Sequence, residues 1–535
     1  MTETFDAIVI GAGISGLYAV YRLRERGLSV RGFDAASGVG GTWYWNRYPG
    51  ARFDSESYSY QYSFSKALFD EWQWSEAFAA QPEIERYLNF VADRFDLRRE
   101  YEFDSRVEQL RYDEHDGCWE LTIAGGRRAR AQFVVAATGF LSAPQPPDYA
   151  GEGEFAGLTV HSARWPKEGV DVRGKRVGII GSGPTAVQII QTIAPDAGHL
   201  TVFQRTANWC TPLRNRRLTP DEQRELASKA DEIVALCKRT FAGFIHDMDP
   251  HASTDEPSKE ARFAKYQELY DRGGFALWFA NYNDMFTNRA FAEEVSEFLA
   301  AKIRQRVKDP VVAEKLIPKN HPFGTKRPPG ETNYYETFNR DNVELVDLRA
   351  TPVTRITPRG VDTTAQAYDL DVLIYGTGFQ SLTGALLRMD IRGEKGLTLR
   401  EKWSDGPRTN MGVQIAGFPN FFVTSGPHHP AVFCNATRCA ETAVEWIVDC
   451  IDHVRSGGHR SIQPTLDAEG AWTQFCYDSV KGLIIDDMRD SWFFGNNNPE
   501  NKAEKRFLLW AGSVPSFHDT FAEVTASGYR GFEIR

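Results

Sequence analysis

At 535 residues, 42% hydrophobic, 25% charged and 13% aromatic, the chain has a globular composition and exceeds the roughly 100 to 200 residues of one domain, so two or three domains are expected. Lys+Arg 62 against Asp+Glu 72 leave a net charge of -10, and no overall positive field exists to hold a nucleic acid. No run reaches the roughly 18 apolar residues of a membrane span and no signal-peptide pattern opens the chain, so a cytoplasmic protein without membrane partners is expected, and separately a monomer.

The first element is a buried strand, DAIVI at residues 6–10, running into Gly11, Ala12, Gly13, Ile14, Ser15 and Gly16. An amphipathic stretch with Leu17, Val20, Tyr21 and Leu23 follows, then a second apolar run ending in Asp34. Residues 128–140 (RARAQFVVAATGF) form another buried strand, leaving through Thr138 and Gly139. A second strand-turn-helix-strand unit opens at residues 176–180 (RVGII), turns through Gly181, Ser182, Gly183, Pro184, Thr185 and Ala186, and ends at Arg205 and Thr206. Residues 218–320 change character, with Phe291, Val295, Phe298, Leu299 and Ile303 at helical spacing as a core stripe. LDVLIYGTGF at residues 370–379 repeats the strand exit around Thr377 and Gly378.

These elements predict an α/β fold: two nested Rossmann-like dinucleotide-binding domains with a helical insertion. The first domain takes residues 1–145 and 381–535, the second takes 146–217 and 323–380, and the helical part takes 218–322.

A glycine turn lets the backbone approach a pyrophosphate, and the following helix points its free N–H groups and positive end at the negative charge. Asp34 stands where a carboxylate can accept hydrogen bonds from a ribose 2'-hydroxyl and repel a 2'-phosphate, so the first site should take FAD or NAD. At the matching place in the second unit stands Arg205, beside Thr206; a guanidinium with a hydroxyl suits a phosphate dianion, so this site should take NADPH. The pair of sites is most simply that of a flavoprotein reduced by NADPH. Seven cysteines, at 118, 210, 237, 434, 439, 450 and 476, lack metal spacing and read as free buried thiols. His428 and His429 are adjacent but have no further ligand set nearby, so no metal is expected.

Residues 155–166, with Phe155, Gly157, His161, Trp165 and Pro166, carry the pattern F-x-G-x-x-x-H-x-x-x-W-P just before the second glycine loop. This resembles the fingerprint of the type I Baeyer-Villiger monooxygenases, and residues 40–54 (GGTWYWNRYPGARFD) resemble a second signature of that family. With residues 325–343, the resemblance spans nearly the whole chain. It implies FAD and NADPH as cofactors and a ketone and O2 as substrates. The reaction the resemblance implies is one in which reduced flavin would take up O2 and a C4a-peroxyflavin anion would attack the carbonyl to give an ester or lactone. Such chemistry needs a cation beside the flavin and the exclusion of water, which would otherwise release hydrogen peroxide.

Carried onto this sequence, the resemblance makes Arg327 the active-site cation and Asp54 its partner. It places Lys326 with Arg205 and Thr206 on the 2'-phosphate, and His161 on the link that couples the domains. Further cofactor contacts are expected from Thr42, Trp43, Trp45, Arg52, Tyr60, Val107 and Gln188. Trp492 resembles a lid tryptophan, although Glu500, Asn501, Lys502 and Ala503 depart from the Gly-Lys-Pro turn usual after it. His428, His429, Phe433, Cys434 and Ala436 are expected to line the substrate side. Two alternatives stay open at this point: a sulfide- or amine-oxygenating flavin monooxygenase, and a protein that binds both nucleotides without catalysis.

Overall fold

The computed structural model describes residues 2–255, 257–430, 433–488, 491–495 and 506–535. At its centre the strand Glu3–Ile10 pairs in parallel with Val30–Phe33 on one side and Arg127–Ala136 on the other. Its last four residues are all buried, the continuous apolar run of a strand covered on both faces. The helix Ile14–Glu25 provides one cover and rests on the long helix Ala436–Ser456, where the Tyr18 hydroxyl donates to Glu445 and Arg22 pairs with the same carboxylate at 2.8 Å.

This first sheet has eight strands. Two of them, Asp390–Arg392 and Phe421–Val423, come from the far end of the chain and pair with Val107–Asp113 and Arg127–Ala136. One part was not anticipated: Val107–Asp113, Cys118–Ile123 and Arg127–Ala136 run as an antiparallel meander, adding a hairpin layer to an otherwise parallel sheet.

The second sheet is wholly parallel, in the order Val343–Asp347, His199–Gln204, Arg176–Ile180, Val372–Tyr375, Leu158–His161. Between its strands lies the helical segment. The helix Pro220–Ser228 is started by a capping box between Thr219 and Glu222, and Arg289–Arg306 by the Asn288 side chain accepting from the Phe291 N–H. The stripe Phe291, Val295, Phe298, Leu299 and Ile303 is buried, with Phe298 edge-on to Tyr266 and Tyr270. Among the described residues, no helix is long and apolar enough to cross a membrane.

The cysteine expectation is corrected. Cys434 and Cys439 form a disulfide, with Cα atoms 6.2 Å apart, because the helix that starts at Ala436 turns the chain back so that residue 439 comes beside residue 434. Cys210, Cys237, Cys450 and Cys476 are buried free thiols, and Cys118 is half-buried.

Candidate functional site

Both glycine loops open on one cavity of about 1880 Å³. The first strand ends at Gly11, with φ +114°, where any side chain would overlap the Ala137 carbonyl oxygen. Gly13 then precedes the helix Ile14–Glu25 without a side-chain cap, which leaves the first N–H groups facing the cavity. Gly181, with φ +129°, repeats the turn against Gly376, and Gly183 precedes the helix Pro184–Ile193 with open space where a Cβ would project. Ser15, Ser182 and Thr185 line the cavity beside them. Gly16 and Ala186 do not reach it: Gly16 packs on the Gly11 carbonyl, and Ala186 is fully buried beside Gly376. Such loops fit two dinucleotide phosphates, since the backbone is bare where an anion must approach.

The strand ends distinguish the two sites. Asp34 lines the cavity; Oδ2 accepts from the Ala12 N–H at 2.6 Å and Oδ1 from the Ala36 N–H at 2.7 Å, so the carboxylate is fixed in orientation at the cavity wall. Burial raises its pKa, against the two N–H bonds. Arg205 and Thr206 line the opposite region with Lys326. They are joined by Arg349, whose Nε donates to the Arg205 carbonyl at 2.9 Å and whose Nη2 donates to Thr206 Oγ1 at 3.2 Å. His321 stays neutral here, pushed down to about 3 by burial and then by Lys326 and Arg349. Sequence reasoning missed Arg349, an isolated arginine in a loop with no motif around it.

Between the two sites lies an ion pair: Arg327 Nη1 stands 2.7 Å from Asp54 Oδ2, with the Asp54 side chain 5% exposed and that of Arg327 30%. Burial raises the Asp54 pKa, opposed by Arg327 and by the Gly330 N–H. The Arg327 guanidinium also lies 5.3 Å from the Phe275 ring centroid, so its position is set from two sides. Gln188, on the second unit's helix, donates to Asp54 Oδ1 at 3.4 Å and accepts from the Tyr48 hydroxyl at 3.0 Å. Gly50 presses on the same helix, where a Cβ would come 2.6 Å from the Gln188 carbonyl oxygen. The pair is thus tied to both nucleotide sites at once.

Thr42, Trp43, Trp45, Arg52, Tyr60 and Val107 all line the cavity. Trp43 stands edge-on to Phe53 and donates to the Tyr60 hydroxyl at 3.4 Å, while Arg52 pairs with Glu76 at 3.1 Å. None of Phe155, Gly157, His161, Trp165 and Pro166 lines it. His161 Nε2 instead meets the Gln145 carbonyl at 3.0 Å and Thr377 Oγ1 at 3.2 Å, touching both segments that join the sheets. Burial lowers its pKa. Arg164, which the pattern leaves unspecified, stacks 4.4 Å from the Trp45 ring.

Of the residues expected on the substrate side, His429, Cys434 and Ala436 line the cavity, as does Trp492, and two do not. His428 is fully buried, with Nδ1 3.1 Å from Thr409 Oγ1. Phe433 turns into the core, its ring 5.5 Å from Phe493 and 6.3 Å from Trp278. Phe244 and Phe275, packed edge-on at 5.1 Å, fill this wall from the helical segment and were not anticipated. The departure at Glu500–Ala503 lies outside the described residues.

Comparison with known proteins gives the family. Family profiles for an NAD(P)-binding Rossmann-like domain and for L-lysine 6-monooxygenase/L-ornithine 5-monooxygenase match residues 9–72 and 55–232. The chain is 44% identical to 2-oxo-Delta(3)-4,5,5-trimethylcyclopentenylacetyl-CoA monooxygenase of Pseudomonas putida, covering 100% of this chain and 99% of that protein. It is also 44% identical to acetone monooxygenase (methyl acetate-forming) of Gordonia sp. (strain TY-5), with the same coverage. A crystal structure of OTEMO in complex with FAD and NADP superposes with a TM-score of 0.96 at 43% identity, over 100% of both chains. This chain is also 41% identical, over 98% of its length and 95% of that protein, to a Baeyer-Villiger monooxygenase of Pseudooceanicola batsensis, and with full-length identity of this order the chain belongs to the Baeyer-Villiger monooxygenases.

Proposed function

We propose that FAD extends from Asp34 along Gly11–Ser15 to the Arg327 and Asp54 pair, and that NADPH lies along Gly181–Thr185 with its 2'-phosphate held by Arg205, Thr206, Lys326 and Arg349. FAD would belong to residues 1–145 and 381–535 and NADPH to 146–217 and 323–380, with 218–322 contributing the Phe244 and Phe275 wall. The bound flavin supplies activation of O2 after reduction by NADPH. This chain's own residues do the rest. Arg327 offers guanidinium N–H groups to negative charge that develops on the ketone oxygen, and Asp54 and Phe275 hold it in place. Trp492, Phe244 and Phe275 keep water from the reacting atoms, and His161 couples the two joining segments.

One oxygen atom of O2 is inserted next to the ketone carbonyl and an ester or lactone results. The observation that carries this reading is the Asp54–Arg327 contact, which stands where the two glycine loops share a cavity. The test incubates the holoenzyme with NADPH, O2 and cyclic, aryl and aliphatic ketones, with mass spectrometry for a product heavier by one oxygen. If only sulfides or amines gain oxygen, the ketone reading is wrong.

A further inference from the structure

Most thiols of the chain are sealed in the core: burial pushes Cys237 up to about 11 and holds Cys450 and Cys476 well above the ordinary thiol range. The Cys434–Cys439 pair is also buried, at 4% and 2% exposure, but both residues line the cavity beside His429, Ala440 and Trp492, so the cavity itself is their route to small reagents. Residues 435–437 are anchored independently of the disulfide. The Asn435 N–H donates to the Ala242 carbonyl at 2.8 Å, its Nδ2 to Ser59 at 2.9 Å, and Thr437 Oγ1 to Tyr60 at 2.6 Å. What the disulfide adds is a tie between residue 434 and the first helical turn. Phe433, next to that tie, packs on Phe493 and Trp278, and Phe493 stands edge-on to Trp492 at 4.7 Å. A run of contacts therefore leads from the disulfide to the tryptophan on the cavity wall.

We propose that Cys434 and Cys439 form a reversible redox modification site, oxidised by hydrogen peroxide and opened by a dithiol, which sets how tightly the wall around Trp492 closes. The oxidant is at hand, because an enzyme that consumes NADPH and O2 releases hydrogen peroxide whenever turnover fails to oxygenate its substrate. One cysteine thiolate attacks a peroxide oxygen, the O–O bond breaks and hydroxide leaves, giving a sulfenic acid. The second thiol then displaces the sulfenic hydroxyl as water, so two thiols and one peroxide become one disulfide and two waters. In the reverse direction a dithiol attacks one sulfur, returns two thiols to the protein and ends as its own disulfide. Oxidation holds Phe433 against Phe493 and keeps the chamber closed to water. Reduction loosens that wall, and a loosened wall generates the peroxide that closes it again.

The inference rests on the reading of this wall as the substrate side. Holoenzyme is treated with dithiothreitol, or with dithiothreitol and then hydrogen peroxide, desalted and divided: one portion is alkylated and read at Cys434 and Cys439 by mass spectrometry, and the other, not alkylated, gives oxygenated product per NADPH consumed. Reduction should add an alkyl group at each cysteine and lower the coupling ratio at least about threefold, and peroxide should reverse both. Cys439→Ser should stay at the reduced ratio and lose the response, whereas Cys118→Ser should retain it. Equal coupling in the two forms with the mass change confirmed, or two alkylated thiols after peroxide, would overturn the proposal. If no ketone yields an ester, the reaction assigned to the cavity fails, while the alkylation result still decides whether the pair cycles.

Discussion

The two glycine loops share a strand, a positive-φ glycine, an uncapped helix start and one cavity, and they differ in how identity is added at the strand end. At the first, a single local side chain suffices: Asp34 is oriented by two backbone N–H groups within the unit. At the second, the cationic end of the cavity is assembled from three distant segments, with Arg205 and Thr206 at the strand end, Lys326 beyond the helical segment and Arg349 on the edge of the sheet, and the recognition proposed above would draw on all three. Backbone makes a general phosphate cradle, and side chains decide which nucleotide enters it.

The largest effect should come from the group between the sites. Arg327→Ala should lower ester formation by at least about 10³-fold while NADPH is still oxidised and the electrons appear as hydrogen peroxide. Product and peroxide are measured together, and oxygenation within tenfold of the parent would remove Arg327 from the chemistry. Next, Arg205→Ala should lower kcat/KM for NADPH by about 100-fold and for NADH by less than about threefold. Equal losses would put the phosphate elsewhere. Arg349→Ala should cost about tenfold with NADPH only. Because Arg349 also braces the Arg205 backbone, the double variant should lose less than the product of the single losses; full additivity would show two independent contacts.

The last effect is on stability and leaves turnover at neutral pH untouched. His428 and His429 on the flavin side and His321 on the phosphate side are each pushed down to about 3, with burial the largest cause. Their folded pKa values lie below the unfolded value of about 6.5, so between those limits the unfolded chain binds protons that the folded chain refuses. Stability should be level above about pH 6.5 and fall toward pH 3, by up to about 1.4 kcal/mol per pH unit for each histidine. His321→Gln should reduce the slope of thermal unfolding against pH by its share, and an unchanged slope would show that His321 takes up its proton in the folded chain.

Legibility in the sequence followed the distance over which a feature is assembled. The two strand-turn-helix units, with Asp34 and Arg205 at their strand ends on the cavity, were readable because strand, turn and helix lie within one continuous stretch. Arg327, Asp54 and the fingerprint needed a family resemblance: a Lys-Arg pair before two prolines looks like any solvated loop, and only the fold brings it against a buried aspartate. Arg349, Phe244 and Phe275 left no signal, since convergence of distant segments imposes no period or spacing. The Cys434–Cys439 disulfide was unreadable for a related reason, because the separation of its cysteines becomes a short distance only once Asn435 starts a helix between them. Phe433 was misplaced by the same turn, which carries its ring away from the cavity and into the core.

Gly50 gives the arrangement a mechanical consequence. The signature loop has no side chain where it bears on Gln188 and Thr192, so one nucleotide's housing rests directly on the backbone of the helix that faces the other. It is a bearing surface with no spacer. A side chain there should act as a wedge, parting Asp54 from Gln188 and slackening the brace on Arg327 from a position that does not itself line the cavity.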